Sequence, residues 1–374
     1  MKTSQLPQTN QRWLVSVAII LSAVSLAAAE FDSDIKKSFS VKPGGEVVLD
    51  VDSGNVEVTT GGSGEVVIEV KRRQDKRTLS GSADAEKIFQ AHEVKFDQDG
   101  DQVRVTAAYR SDAKKLLKGR SSMQVNYLVQ VPKQFNLNLK TAAGNVGVAA
   151  IEGNVKVKTS GGNLKFGAIT GSVEANSAAG NISAEGATGR GSFKTSGGNI
   201  NLGSLAEEAT ADTAAGSISV KEAKGKLMLK SSGGDIELGE AMGPATLSTA
   251  AGSIRVKSAA AALSVKTSGG NIKIEDAREA VQAQTAAGSI TAGFSAQPKG
   301  DCKLTTSGGN IEVQLAEKLA FDVDAHTTGG HVSSELPIEQ SSGRSTDTLK
   351  GKVNGGGVAL VAHTSAGNVK LVRR

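Results

Sequence analysis

The sequence predicts an all-β fold, a parallel β-solenoid (β-helix) built from stacked 18-residue units of two short strands. Three observations predict it. A turn motif recurs at a fixed spacing, the residues between the turns alternate between apolar and polar, and aromatic residues make up only 3% of the 374 residues. A chain with so few large aromatic side chains has to bury small aliphatic ones in a regular way.

The turn motif consists of a Thr or Ser, two small residues and a Gly, usually followed by Asn or Ser. Nine uninterrupted copies open at Thr141, Thr159, Ser177, Thr195, Thr213, Ser231, Thr249, Thr267 and Thr285. The closing glycines recur with a constant 18-residue step from Gly144 to Gly288, and the step then lengthens to 21 at Gly309 and Gly330. Such repeats are typical of solenoids, in which stacked units share a core that one unit cannot form alone.

The residues around each turn alternate as they do in strands with one buried face. Apolar residues stand two and four positions after each closing glycine, as Ile200 and Leu202 do after Gly198, and again seven and five positions before the next glycine. Mostly polar residues lie between them. Each unit is therefore predicted to contain two short strands and two turns.

Each residue type of the turn has a predicted role. The opening Thr or Ser is in phase with the inward positions, which predicts a buried stack whose hydroxyl groups hydrogen-bond up and down the ladder. The glycine is predicted to adopt a backbone conformation that other residues disfavour. The residues after it are predicted to form a capping ladder over the turns. They are Asn145, Asn163, Asn181, Asn199, Asp235, Asn271 and Asn310.

The turns TAAG and TSGG alternate strictly, so the sequence has a 36-residue superperiod. This pattern is compatible with two coil lengths, an 18-residue coil in which unlike turns stack and a 36-residue coil in which like turns stack. The Asn or Ser after the glycine varies less among like turns, which mildly favours the longer coil.

The N-terminus has the three parts of a secretory signal. The basic residues Lys2 and Arg12 are followed by the apolar segment Trp13–Leu26 and by three alanines. This apolar segment is short for a membrane-spanning helix, which needs about 20 residues. Residues 1–29 are therefore predicted to be a signal peptide, with an uncleaved anchor as the alternative. The mature protein would begin near Glu30, outside the cytoplasm and without a membrane span.

The remaining chain divides into three segments. Residues 30–140 are predicted to form an irregular, β-rich N-terminal cap with one short helix in SADAEKIFQAHEV, and residues 141–334 form the regular repeats. Residues 335–374 contain a polar surface loop, from Pro337 to Gly357, and the closing strands. The segment DSGNVEV at Asp52 already resembles a repeat unit, so the cap is expected to belong to the same solenoid.

Three segments carry a resemblance to a known family. They are KPGGEVVLDVDSGNVEV, YLVQVPKQFNLNLKTAAGNV and VAHTSAGNVKL, in this order after the leader. Together they resemble the exported bacterial putative-adhesin family, a domain of unknown function with a β-helix fold. The resemblance covers the chain from about Ser38 to the end. It implies a β-solenoid and export, and it supplies no catalytic residues.

Charge and residue types argue against several functions. Without the leader, 41 basic residues face 38 acidic ones, so the balance gives no reason to expect a nucleic-acid partner. The outward carboxylates are scattered among lysines, as on a solvated mixed-charge face. They include Glu174, Glu185, Asp212, Glu222, Glu237 and Glu240. We therefore predict no catalytic residues, no cofactor and no enzymatic activity.

The histidines and the single cysteine are the remaining residues with chemistry of their own. His326 and His331 flank the turn TTGG and His363 follows later, but no Cys or carboxylate completes a recognisable zinc spacing, so no metal site is predicted. Cys302 occupies a column otherwise occupied by Val, Leu and Ala. It is predicted to be a buried apolar residue, not a nucleophile or a disulfide partner.

The sequence thus predicts an exported, non-enzymatic β-solenoid with a structural or adhesive role at the bacterial cell envelope. It would be periplasmic, at the cell surface or secreted, and its expected partner is a cell-surface glycan or an envelope protein. One alternative is a carbohydrate-binding or carbohydrate-active β-helix whose site is shaped by Pro337–Gly357. Another is an accessory envelope protein that docks a membrane partner through an end rung. The oligomeric state stays open.

Overall fold

A computed structural model describes residues 30–62, 64–75, 82–110, 123–340 and 345–374. The predicted signal peptide, residues 1–29, lies outside the described residues. In the described part there is one helix, α1 (Ser82–Ala91), and the other elements are strands. Among these residues no helix is long and apolar enough to span a membrane.

The strands have the following bounds: β1 (Glu30–Ser40), β2 (Glu46–Val51), β3 (Asn55–Gly61), β4 (Glu65–Asp75), β5 (His92–Asp99), β6 (Gln102–Tyr109), β7 (Gln124–Pro132), β8 (Asn136–Thr141), β9 (Val146–Val148), β10 (Ile151–Glu152), β11 (Val155–Thr159), β12 (Leu164–Thr170), β13 (Val173–Ser177), β14 (Ile182–Ala187), β15 (Gly191–Thr195), β16 (Ile200–Leu205), β17 (Ala209–Thr213), β18 (Ile218–Ala223), β19 (Leu227–Ser231), β20 (Ile236–Ala241), β21 (Ala245–Ser248), β22 (Ile254–Ala259), β23 (Leu263–Lys266), β24 (Ile272–Ala277), β25 (Val281–Gln284), β26 (Ile290–Phe294), β27 (Cys302–Thr306), β28 (Ile311–Leu315), β29 (Phe321–Thr327), β30 (Val332–Ser334), β31 (Glu339–Gln340), β32 (Thr348–Val353), β33 (Val358–Thr364) and β34 (Val369–Arg373).

Each coil of the regular part contributes one strand to each of two parallel sheets, which confirms the predicted β-solenoid. The even-numbered strands β12 to β28 belong to sheet A and the odd-numbered strands β11 to β27 to sheet B. Equivalent residues on neighbouring rungs are in register, as Ile182 with Ile200 and Ala211 with Leu229. The 18-residue coil is therefore the correct one, and unlike turns stack. The longer coil that the sequence mildly favours is wrong.

The interior is filled by the predicted apolar columns and by a third column that the alternation does not reveal. In β16, Ile200 and Leu202 point inward, Gly203 and Ser204 both lie outside, and Leu205 points inward again. The two successive outward residues make a corner. The third column is buried throughout and comprises Ile151, Ile169, Ala187, Leu205, Ala223, Ala241, Ala259, Ala277, Phe294 and Leu315.

At the N-terminal end the order of the strands in space differs from their order in the sequence. β2 and β3 stack directly on β8 and β9, so the unit at Asp52 is a complete rung of the solenoid. β6 and β7 stack on the other side of β2 and β3. Antiparallel strands β5, β4 and β1 extend the sheets further, and α1 buries Ala85, Ile88 and Ala91.

The C-terminal end is arranged in the same way. The last strands in sequence, β33 and β34, lie between the rung of β27 and β28 and the rung of β29 and β30. β32 pairs antiparallel with β29, and β31 with β32. The segment Pro337–Gly357, predicted as a surface loop, therefore contains two strands that extend sheet B.

Candidate functional site

The predicted Thr and Ser stack is present and fixes the turns. Thr213 is representative: its Oγ1 donates to the carbonyl oxygen of Gly198 on the preceding rung at 2.8 Å and accepts from the amide of Gly216 at 3.2 Å. All members of the stack are buried, and Ser177 and Ser231 make the same two bonds as the threonines. From Thr159 to Thr285 each hydroxyl thus satisfies one carbonyl oxygen and one amide of the stacked turns.

The closing glycines are required mainly because the turns stack so closely. A Cβ at Gly162 would overlap the carbonyl oxygen of Gly144, and one at Gly216 would overlap that of Gly198. Gly144 has a φ of 145°, a conformation that favours glycine, whereas Gly162 and Gly216 have no such φ. The predicted reason, an unusual backbone conformation, therefore applies to few copies, and close approach explains the others.

The predicted capping ladder over the turns is confirmed. The side-chain oxygen of Asn163 accepts the amide of Asn181 at 2.8 Å, and Asn181 accepts that of Asn199 at 2.7 Å. Where Ser replaces Asn, its hydroxyl does the same, as Ser217 does for the amide of Asp235 at 3.1 Å. The ladder therefore bonds each turn to the turn of the preceding rung.

On the outer faces the predicted mixture of charges forms pairs. Lys156 contacts Glu174 on the next rung at 2.9 Å. At the corner of sheet A, Glu222 and Glu240 are register partners, but Glu222 accepts a hydrogen bond from Ser204 at 2.8 Å. The other carboxylates predicted to face outward, Glu185, Asp212 and Glu237, also lie on strands at positions that do not face the core.

A groove of about 810 Å³ lies on the outer face of sheet B. We call it the sheet B groove. One row of its lining consists of Asn138, Lys156, Glu174, Ser192 and Thr210, and the other contains Asn154, Ser172, Arg190 and Glu208. Glu46 closes one end. Sequence reasoning missed this groove, although the strand alternation places the first row on one face.

Two of the three candidate histidines meet, because β33 is inserted beside β29. His326 and His363 are register partners, and their ring centroids lie 5.9 Å apart. His363 Nε2 lies 3.4 Å from Asp324 Oδ1, and His326 Nδ1 lies 3.0 Å from Thr348 Oγ1. His331 lies beyond the turn. In the described part of the chain, no group of three His, Cys, Asp or Glu side chains could bind a metal ion.

Cys302 is fully buried at the start of β27, where the sequence places an apolar residue. Burial raises the pKa of its thiol to about 11, so the reactive thiolate is scarce at neutral pH. This environment suits the predicted role of an apolar core residue.

The N-terminal cap contains a buried polar cluster that the sequence did not indicate. Arg72 donates to the carbonyl oxygen of Phe89 at 2.9 Å and to that of His92 at 3.4 Å. Its guanidinium lies over the Phe89 ring. His92 is 2% exposed and lies 3.5 Å from the Tyr127 hydroxyl. Burial lowers the pKa of His92 to about 4, with a further contribution from the Arg72 charge. The signal in the sequence that could have pointed to this cluster is that Tyr127 occupies an inward-facing position of its strand.

Comparison with known proteins agrees with this architecture. Residues 45–258 and 242–372 match the family model Toastrack DUF4097. The chain belongs to this family. The sequence resemblance to an adhesin-like domain of unknown function is thereby confirmed. No curated protein matches the chain.

The solved structures to which the chain is similar have low sequence identity. A putative cell adhesion protein from Clostridium sporogenes has 9% identity over 91% of this chain and 100% of its own, with a TM-score of 0.17. A putative adhesin from Bacteroides fragilis has 11% identity over 91% of this chain and 97% of its own, with a TM-score of 0.21. A putative adhesin from Parabacteroides merdae has 13% identity over 69% of this chain and 95% of its own, with a TM-score of 0.36.

Proposed function

We propose that this Toastrack protein is exported and has a non-enzymatic, structural or adhesive role at the bacterial cell envelope. The observation that carries the proposal is the pairing of opposite charges between neighbouring rungs on the outer face of sheet B. Lys156 pairs with Glu174 at 2.9 Å, and Lys226 pairs with Glu208 at 3.5 Å. A stack of like rungs with such faces offers a long, rigid contact surface. Its partner is an envelope glycan or an envelope protein.

The enzymatic alternative has less support. Hydrolysis of a glycan needs two carboxyl groups with different roles, and elimination needs a base with basic partners. In the segment Pro337–Gly357, Lys350 instead forms an ion pair with Asp324 at 3.2 Å. At the corner of sheet A, Ser204 and Lys224 hold Glu222. Both arrangements are typical of a solvated structural face.

Docking through an end rung also has less support, because antiparallel strands are added beyond β6 and β7 at one end and beyond β29 at the other. On the last rung Phe321 is 0% exposed and Val323 is 4% exposed. β32 pairs along the edge of β29, and at the other end α1 and antiparallel strands close the stack. The inward residues of β29 are therefore not available to a docking partner.

Export is tested by expressing the full chain with its own leader in a bacterial host and fractionating the cells. We expect the protein outside the cytoplasm, with a new N-terminus near Glu30 by mass spectrometry. An unprocessed cytoplasmic protein would contradict the proposal.

The role is tested by incubating the processed protein with purified cell-wall polymers and envelope extracts while following binding and product release together. We expect binding without turnover. Release of cleaved polymer at a rate above that of a heat-denatured sample would replace the adhesive role with an enzymatic one.

A further inference from the structure

The sheet B groove has the shape and chemistry of a site for an extended polymer. Its rows cross five successive rungs, from β8 to β17, and rungs are spaced about 4.8 Å apart. This spacing is close to the length of one sugar ring in a linear polysaccharide. We infer that the groove binds a neutral, linear polysaccharide that runs along the solenoid axis, one sugar residue per rung. The inference deepens the proposed function and depends on it, because the groove must be exposed to the envelope.

The charges in the groove favour a neutral ligand. Its lining contains three carboxylates, Glu46, Glu174 and Glu208, and two cations, Lys156 and Arg190. Glu174 pairs with Lys156, Glu208 pairs with Lys226, and Glu46 accepts from the Gln102 amide at 2.7 Å. The three carboxylates would repel a polyanion, and Arg190 and Lys156 would repel a polycation.

Arg190 is the group most available to a ligand. Its side chain is exposed in the groove and has no hydrogen-bonding or ion-pairing partner among the described residues. The neighbouring side chains of Asn138 and Ser192 also have no partner in that part of the chain. Together they offer amide, hydroxyl and guanidinium groups, which match the hydroxyl and acetamide groups of a neutral glycan.

The groove lacks the groups that other ligands need. Protein partners are usually anchored by aromatic side chains, and no residue of the lining is aromatic. A lipid chain needs an apolar surface, but the apolar residues of the lining, Leu137, Val155 and Val173, are 2% exposed. On the next rung the row continues with Met228, which is 46% exposed, so the polar surface ends there.

The test uses the full chain, exported and purified, and two neutral probes, chitohexaose and cellohexaose. The groove variant combines Asn138→Ala, Arg190→Ala and Ser192→Ala. The matched control combines Asn201→Ala, Arg255→Ala and Ser183→Ala on the outer face of sheet A. Both sets remove the same residue types from outward positions, and circular dichroism and melting curves verify that both variants fold.

We expect at least one hexamer to bind the wild type, a dimer of the same sugar to bind much more weakly, and the groove variant to lose about tenfold or more in affinity. The control should bind as the wild type does. Equal binding by both variants, binding only to a polyanion such as polygalacturonate, or no binding to either hexamer would overturn the inference. Localisation and envelope association are measured separately, so these failures leave the proposed function standing.

Discussion

At the residue scale, the turn couples each rung to the preceding one through two groups. The Thr or Ser hydroxyl links the carbonyl oxygen of one glycine to the amide of the next, and the glycine lets the two turns approach. Both groups are buried, as for Thr213 and Gly198. A buried peptide group without a hydrogen bond is costly, so the repeat tolerates few residue types here.

Replacing Thr213 tests the hydroxyl. Thr213→Val keeps the shape but leaves the Gly198 carbonyl and the Gly216 amide without a partner, so we expect the free energy of unfolding to fall by about 1–3 kcal/mol. Thr213→Ser should retain most of the stability, because Ser231 makes the same bonds on the next rung. Equal stability of the two variants in urea unfolding would contradict this role.

The two glycines of one TSGG turn form a matched pair. A Cβ at Gly161 would have open space around it, whereas one at Gly162 would overlap the Gly144 carbonyl oxygen. We therefore expect Gly161→Ala to change the melting temperature little and Gly162→Ala to destabilise by roughly 1–3 kcal/mol. The TAAG turns, which have Ala143 at the position of Gly161, agree with this expectation. Similar melting temperatures for both variants would exclude close approach as the reason for the second glycine.

At the element scale, the N-terminal cap differs from the regular rungs because it buries an arginine and a histidine. Arg72 is 7% exposed and His92 is 2% exposed, and Arg72 connects β4 to α1 and β5 through backbone carbonyl oxygens. His92 Nδ1 is buried without a hydrogen-bond partner in the part of the chain described. Protonation of His92 would place a second positive charge beside Arg72.

This cluster makes the cap sensitive to acid. The pKa of His92 is about 4 in the folded protein and 6.5 when unperturbed. Between these values the unfolded state binds a proton that the folded state does not. The contribution of neutral His92 to the free energy of unfolding is therefore fully present above pH 6.5. It falls as the pH falls towards 4, by up to about 1.4 kcal/mol per pH unit and about 3 kcal/mol in total.

The measurement is the free energy of unfolding of wild type and His92→Gln at several pH values. We expect the wild type to lose more stability than the variant between pH 6.5 and 4, while the difference is constant at higher pH. His331→Gln, which changes an exposed histidine, should follow the wild type. If the free energy of unfolding of wild type and His92→Gln changed with pH in the same way, the lowered pKa of His92 would be contradicted.

The sequence predicts the elements of the solenoid better than their order in space. The alternation predicts Ile200 and Leu202 as inward residues, but it misses Leu205 because Gly203 and Ser204 interrupt the period at the corner. The insertion of β33 and β34 between earlier rungs could not be predicted, because all rungs have the same pattern and any two can stack. The contact of His326 with His363 depends on that insertion.

At the scale of the whole molecule, the repeat of the sequence is twice as long as the repeat of the structure. The 36-residue superperiod reflects two turn types, whereas each rung is an 18-residue coil. The two turn types make the same contact. The amide of the third residue donates to the carbonyl oxygen of the second residue of the preceding turn, from Gly269 to Ala250 and from Ala287 to Ser268, both at 3.0 Å. Unlike turns therefore stack without a change of register, which the alternation in the sequence alone does not show.

This distinction predicts the outcome of internal deletions. Removing residues 254–271, one complete coil, would join Ser253 to Ile272 and place Ile236 beside Ile272, with Leu238 beside Ile274. Each apolar column and the Thr stack continue, so we expect a folded protein that is one rung, about 4.8 Å, shorter. Removing residues 254–262 would shift the columns by half a coil and place turns against strands, so that variant should not fold. Circular dichroism, melting and small-angle scattering compare the two. Failure of the one-coil deletion, together with folding after removal of residues 254–289, would show that the two turn types must alternate for the stack to form.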